Sequence, residues 1–179
     1  MSTIAPTSAT ARNEGLFSFP NPVNEVAARL VAAGVAAMTV AVLAGLRWVL
    51  VPLALGFLAR VLTGPTLSPL GTLVTRVVVP RLPIEPRPVP GPPKRFAQGI
   101  GAVLSTAALL SWGVFGNTTV ALVLTAMITV AASLEAFVGF CLGCVIFGFL
   151  MRRGVIPETV CEDCADISRR IPAFADTPI

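Results

Sequence analysis

Residues 135–153 read EAFVGFCLGCVIFGFLMRR, and the way this stretch folds decides how the chain is organised. It carries one carboxylate, Glu135, a Cys-x-x-Cys pair, Cys141 and Cys144, and two closing arginines, Arg152 and Arg153. Read as one helix with the apolar residues that precede it from Thr118, it would be roughly 50 Å long, well beyond the roughly 30 Å hydrocarbon core of a bilayer. Such a helix either projects into protein on the cytoplasmic side or bends, with Gly139 and Gly143 as the natural places. Gly154 stops it, and Pro157 prevents immediate resumption.

Working outward, three further apolar runs occupy residues 30–46, 48–59 and 96–115. The 179 residues are 55% hydrophobic and only 12% charged, against about a quarter charged in a soluble domain. In hydrocarbon every backbone polar group must be paired internally, and no alternating strand pattern is present. The expected fold is therefore an all-α membrane protein with four transmembrane helices, an interfacial helix and a short C-terminal helix. The first residues hold one arginine and no apolar core, which excludes a cleavable signal peptide at this start. The basic residues are dispersed and not interleaved with aromatics, which argues against nucleic acid as a partner. With no histidine, histidine acid–base catalysis, haem ligation by histidine and Cys/His zinc sites are excluded.

Residues 1–18 are small and polar and are expected to be disordered. In FPNPVNEVAAR, Asn21 suits the cap of the first helix, Pro22 its first position, and Glu25 its positive end. A tight turn is required over residues 45–48, and the second helix carries Pro52, a candidate kink. Ser68 and Pro69 open a third segment, 68–79, whose Leu70, Leu73, Val74, Val77 and Val78 form one apolar stripe. About three turns cannot cross, so it reads as an interfacial helix or as one packed beneath the spans. Residues 80–93 hold seven prolines in fourteen positions and read as an extended strap. Lys94 and Arg95 mark the membrane edge, and Asn117 caps the final apolar segment. Residues 19–153 thus form the membrane domain, followed by a tail, 154–179. Four spans put twelve basic residues on one side and Arg47 alone on the other. That asymmetry implies an inner-membrane protein with both termini cytoplasmic.

The chemistry rests on sulfur. On a continuous helix Cys141 and Cys144 lie about 60° apart on one face. A second pair, Cys161 and Cys164, sits in the polar tail, where Val160, Cys161, Cys164 and Ile167 line one stripe of a short helix. In a dry apolar setting a thiol is inert, so reactivity requires a polar cavity. Two pairs admit two readings. Thiol–disulfide exchange would pass oxidising equivalents between the pairs. A four-cysteine zinc site would bring Cys141, Cys144, Cys161 and Cys164 to one metal, and the sixteen intervening residues fit the spacing of such sites. A third reading makes the cysteines simple packing residues of a membrane scaffold. Glu135 is the acidic residue deepest in an apolar segment, and such residues are commonly functional. Arg60 is a candidate partner for it. An unbroken helix would place Glu135 about 120° from Cys141 and about 180° from Cys144, too far round to act as their base.

The segments FPNPVNEVAAR, GPTLSPLGTLVTR, PGPPKRFAQGIG and GFCLGC, in this order, resemble a bacterial integral membrane family, common in actinobacteria and classed as a domain of unknown function. The resemblance covers residues 19–155 and brings no established activity. Gene neighbourhoods in that family imply a cytoplasmic thioredoxin-like protein or a sulfurtransferase as partner, beside the lipid bilayer itself. That implication favours thiol or sulfur chemistry for Cys141 and Cys144.

Overall fold

A computed structural model describes residues 21–64, 67–84 and 87–161. Six helices dominate: α1 (Glu25–Leu43), α2 (Leu50–Thr63), α3 (Pro69–Leu73), α4 (Gly91–Gly113), α5 (Thr118–Ser133) and α6 (Leu142–Arg152). The only sheet among the described residues pairs β1 (Val23–Asn24) antiparallel to β2 (Pro88–Val89). The disorder expected for residues 1–18 and the C-terminal helix expected around Cys164 lie outside the described residues.

Three stretches, Glu25–Leu43, Gly91–Gly113 and Thr118–Val138, are long and apolar enough to cross a membrane. Several buried hydroxyl groups on these helices bond to their own backbone, as an apolar surround favours, although Thr106 Oγ1 of α4 is buried without a partner. Thr39 donates to the Ala36 carbonyl at 2.9 Å, Thr125 to that of Ala121 at 2.7 Å and Ser105 to that of Ala102 at 3.3 Å. Outward positions are apolar too: Leu55, Val103, Val123 and Val130 are all exposed, the pattern of a surface turned toward lipid rather than water.

The helices pack side by side, α1 against α5, α5 against α4 and α4 against α2. Alignment of α2 with α4 is antiparallel, because Trp48, just before α2, meets Trp112 edge to face at 5.1 Å. At the other end Arg95 Nε donates to the Val61 carbonyl at 3.1 Å. Between these points the Phe57 ring occupies the space where Gly101 lacks a side chain. A three-residue 3-10 turn, Arg47–Val49, leads into α2. Pro52 then falls in the first turn of α2, where an N–H has no intrahelical partner to lose.

Local capping follows the sequence at most ends. Ser68 Oγ accepts from the Gly71 amide at 3.3 Å and Asn117 Oδ1 from the Val120 amide at 3.1 Å. The start of α1 differs. Asn24, not Asn21, caps it, accepting from the Val26 amide at 3.0 Å, while Asn21 Oδ1 accepts from the Gly91 amide at 3.0 Å. The β1–β2 pairing extends the chain through residue 24, so the helix cannot open earlier. The strap is shorter than expected as well, since Pro92 and Pro93 already belong to the first turn of α4, where proline costs nothing. The predicted amphipathic segment is helical from Pro69 through a π-helical turn, Val74–Val78. It packs on α1: Leu70 lies against Gly34, and Val74 is buried with Ala27 and Val31.

Candidate functional site

The long final helix is broken. After α5 comes a π-helical turn, Leu134–Val138, and then Gly139 in the left-handed region at φ 75°. Its amide donates to the Glu135 carbonyl at 3.1 Å, and the Phe140 amide donates to that of Leu134 at 3.2 Å, closing the helix end in the manner of a glycine C-cap. Two more carbonyls of the ending turn would otherwise have no partner. Arg29 of α1 takes both: its Nε and Nη2 donate to Ala136 O at 3.2 and 3.1 Å, and Nη2 also donates to Phe137 O at 3.0 Å.

The break restarts the chain at Cys141, the N-cap of α6, whose carbonyl accepts from the amides of Cys144 at 3.1 Å and Val145 at 3.2 Å. Cys144 therefore sits in the first turn of α6. The two thiols are neighbours, and both are free. Cys141 is buried at 9% exposure and Cys144 is half-buried. α6 lies against α4 at Gly143, where an added Cβ would come within 2.6 Å of the Ala97 Cα. Phe147 seals the contact on Phe96, with ring centroids 5.6 Å apart.

Charge gathers at the same level. Lys94 Nζ of α4 donates to Glu135 Oε1 at 2.5 Å, with the side chains 11% and 17% exposed. The predicted partner of Glu135 was Arg60. Arg60 instead stands within electrostatic range of the carboxylate without bonding it, its guanidinium over the Phe57 ring at 4.5 Å. Lys94 and Glu135 both act electrostatically on Cys141 and Cys144. The helical-wheel separation of Glu135 from the cysteines holds only for an unbroken helix, and the turn at Gly139 removes it. Lys94 is the residue that sequence reasoning assigned to the membrane edge alone. The single deep carboxylate signals that a cation is needed, but only the register of α4 beside α5 selects residue 94.

The second pair is only partly visible. Cys161 is buried at 5% exposure and disulfide-bonded; Cys164 lies outside the described residues. A shallow pocket of about 420 Å³ is lined by Gly91, Arg95, Phe96, Phe147 and Val160, among others. Among the described residues no group of three or more Cys, Asp or Glu side chains is placed to hold a metal ion.

Helices long and apolar enough to cross a bilayer, closed on their own hydrogen bonds and apolar outside, define the class as helical membrane proteins. Within that class the chain belongs to a family described as a domain of unknown function, DUF4395, whose model matches residues 23–152. The matched region includes Arg29, Arg60, Lys94, Glu135, Cys141 and Cys144 and ends before Cys161. No curated protein and no solved structure matches.

Proposed function

We propose that this is a four-span inner-membrane protein that exchanges thiols and disulfides through Cys141 and Cys144. The observation that supports it is the helix break, which sets Cys141 at the N-terminus of α6 and Cys144 one turn on, as adjacent free thiols beside a Lys–Glu pair. A helix start is where a thiolate is best tolerated. In the exchange, the more accessible Cys144 attacks a disulfide of the partner and forms a mixed disulfide, releasing one partner thiol. Cys141 then attacks Cys144, giving the Cys141–Cys144 disulfide and the second partner thiol. Two electrons and two protons pass to the partner. Cys161 and Cys164 are the exchange pair of the tail in this reading, and a thioredoxin-like protein or a sulfurtransferase is the partner.

Four spans are supported by the path of the 3-10 turn and α2, roughly 27 Å long, antiparallel to α4 over its length. Arg29, Arg60, Lys94 and Arg95 lie toward the end where α1 and α4 begin, and Arg47 toward the other. In this reading the basic end, which carries the thiols, faces the cytoplasm, as the excess of basic residues there favours. Mass-shift alkylation of the full chain in glutathione buffers of graded potential tests the reading. Cys141 and Cys144 are expected to lose and regain alkylation together through an intrachain disulfide, whereas Cys141→Ser halts Cys144 as its mixed disulfide with glutathione. Thiols that remain open to alkylation in the most oxidising buffer would end the proposal.

A further inference from the structure

Among the described residues, the seam between α2 and α4 carries one charge more than it pairs. Lys94 occupies the Glu135 carboxylate. Arg60, 5% exposed, keeps both Nε and Nη1 buried without a hydrogen-bond partner. A guanidinium does not shed its proton to escape such a place, and an isolated buried charge is strongly disfavoured. Other charges nearby are already engaged or balanced. Arg29 is spent on two carbonyls and stands with Glu25 beside Gly139, and Arg95 donates to Val61 O.

A second polar group is stranded at the same height. Gln98 Oε1 is buried and has no partner. Phe57 opposite Gly101 and Val61 opposite Arg95 bracket the register, so Arg60 stands level with Gln98, one turn along α4 from Lys94. An amide presents either end by a half-turn, so Gln98 is able to donate to an acceptor that Arg60 also binds. Water would satisfy the hydrogen bonds but leave the charge. An anion satisfies both. The seam is tight, as the Phe57 ring against Gly101 shows, and the uncompensated charge is a single one.

We propose that Arg60 and Gln98 bind a small monovalent oxyanion between α2 and α4. A planar oxyanion matches the donors along the edges of a guanidinium. This site does not depend on the thiols exchanging disulfides.

The test is thermal unfolding of the full chain in detergent micelles, followed by the fluorescence of Trp48 and Trp112. Sodium nitrate is titrated against sodium gluconate, an anion too bulky to enter, at constant ionic strength. Nitrate is expected to raise the Tm saturably in the wild type, and gluconate is not. Arg60→Met abolishes the saturable rise. Should that variant not fold, Arg60→Lys, which keeps the charge and loses the planar edge, binds nitrate more weakly. Glu135→Gln withdraws the competing carboxylate and tightens binding. Cys141→Ser leaves the nitrate response intact, which separates this outcome from that of the thiol reading. A nitrate response that never saturates, that is the same in Arg60→Met, that is undiminished in Arg60→Lys, or that weakens in Glu135→Gln overturns the proposal.

Discussion

The two ends of the helix bundle solve the same problem with different residues. At the end marked by the Trp48–Trp112 contact, the chain reverses through Gly45 at φ 111° and Gly116 at φ 65°. Glycine suffices there, because the turns are exposed. At the other end α5 ends against α1, with Ala136 half-buried although Phe137 and Val138 are exposed, and glycine alone is not enough. Gly139 supplies the backbone geometry, Arg29 takes the stranded carbonyls, and Lys94 holds the carboxylate of the same turn. A chain break among packed helices recruits charge, and that charge surrounds Cys141 and Cys144.

If this contrast is right, variants at the charged end cost more than variants at the aromatic end. The largest loss is expected from Lys94→Ala, about 3–5 kcal/mol, because Glu135 is left without its ion pair. Adding Glu135→Ala should recover part of that loss, and unfolding in mixed micelles measures both. Next comes Arg29→Met, at about 2–3 kcal/mol, since carbonyls of Ala136 and Phe137 lose a charged donor. Faster amide exchange at Phe140 and faster alkylation of Cys144 are its local signs, and unchanged exchange there would dissolve the contrast. Smallest is Trp112→Leu, about 1 kcal/mol for the lost edge-to-face contact, with alkylation of Cys141 and Cys144 unaltered. A change in thiol reactivity from that distant position would show that the two ends are not independent.

How far the sequence foretold this depends on the range of each interaction. Local signals were legible. Ser68 and Asn117 cap as their residue types suggest, Gly64 and Gly154 end helices, and the long apolar runs become helices. Gly139 was one of two glycines able to bend the last helix, and Gly143 turned out to serve the contact with Ala97 instead. What could not be read was pairing across the chain. The cap of α1 moved from Asn21 to Asn24 because a strand pairing distant in the sequence, Val23 with Val89 and Asn24 with Pro88, holds the backbone extended. Glu135 announced that it needed a cation, but the choice of Lys94 over Arg60 is set by how α4 rises beside α5. The cysteine spacing suggested chemistry, while the helix break that makes Cys141 a cap had no local signature beyond a glycine.

The two-residue ladder between Val23–Asn24 and Pro88–Val89 has a mechanical meaning. It ties the threshold of α1 to the threshold of α4, with Glu25 N–H donating to the Arg87 carbonyl at 2.8 Å as a further rivet. Both helices thereby set off from one shared level, like two posts footed on the same sill. The depth at which Lys94 meets Glu135 is surveyed from that sill, and not from the length of chain that joins α3 to β2.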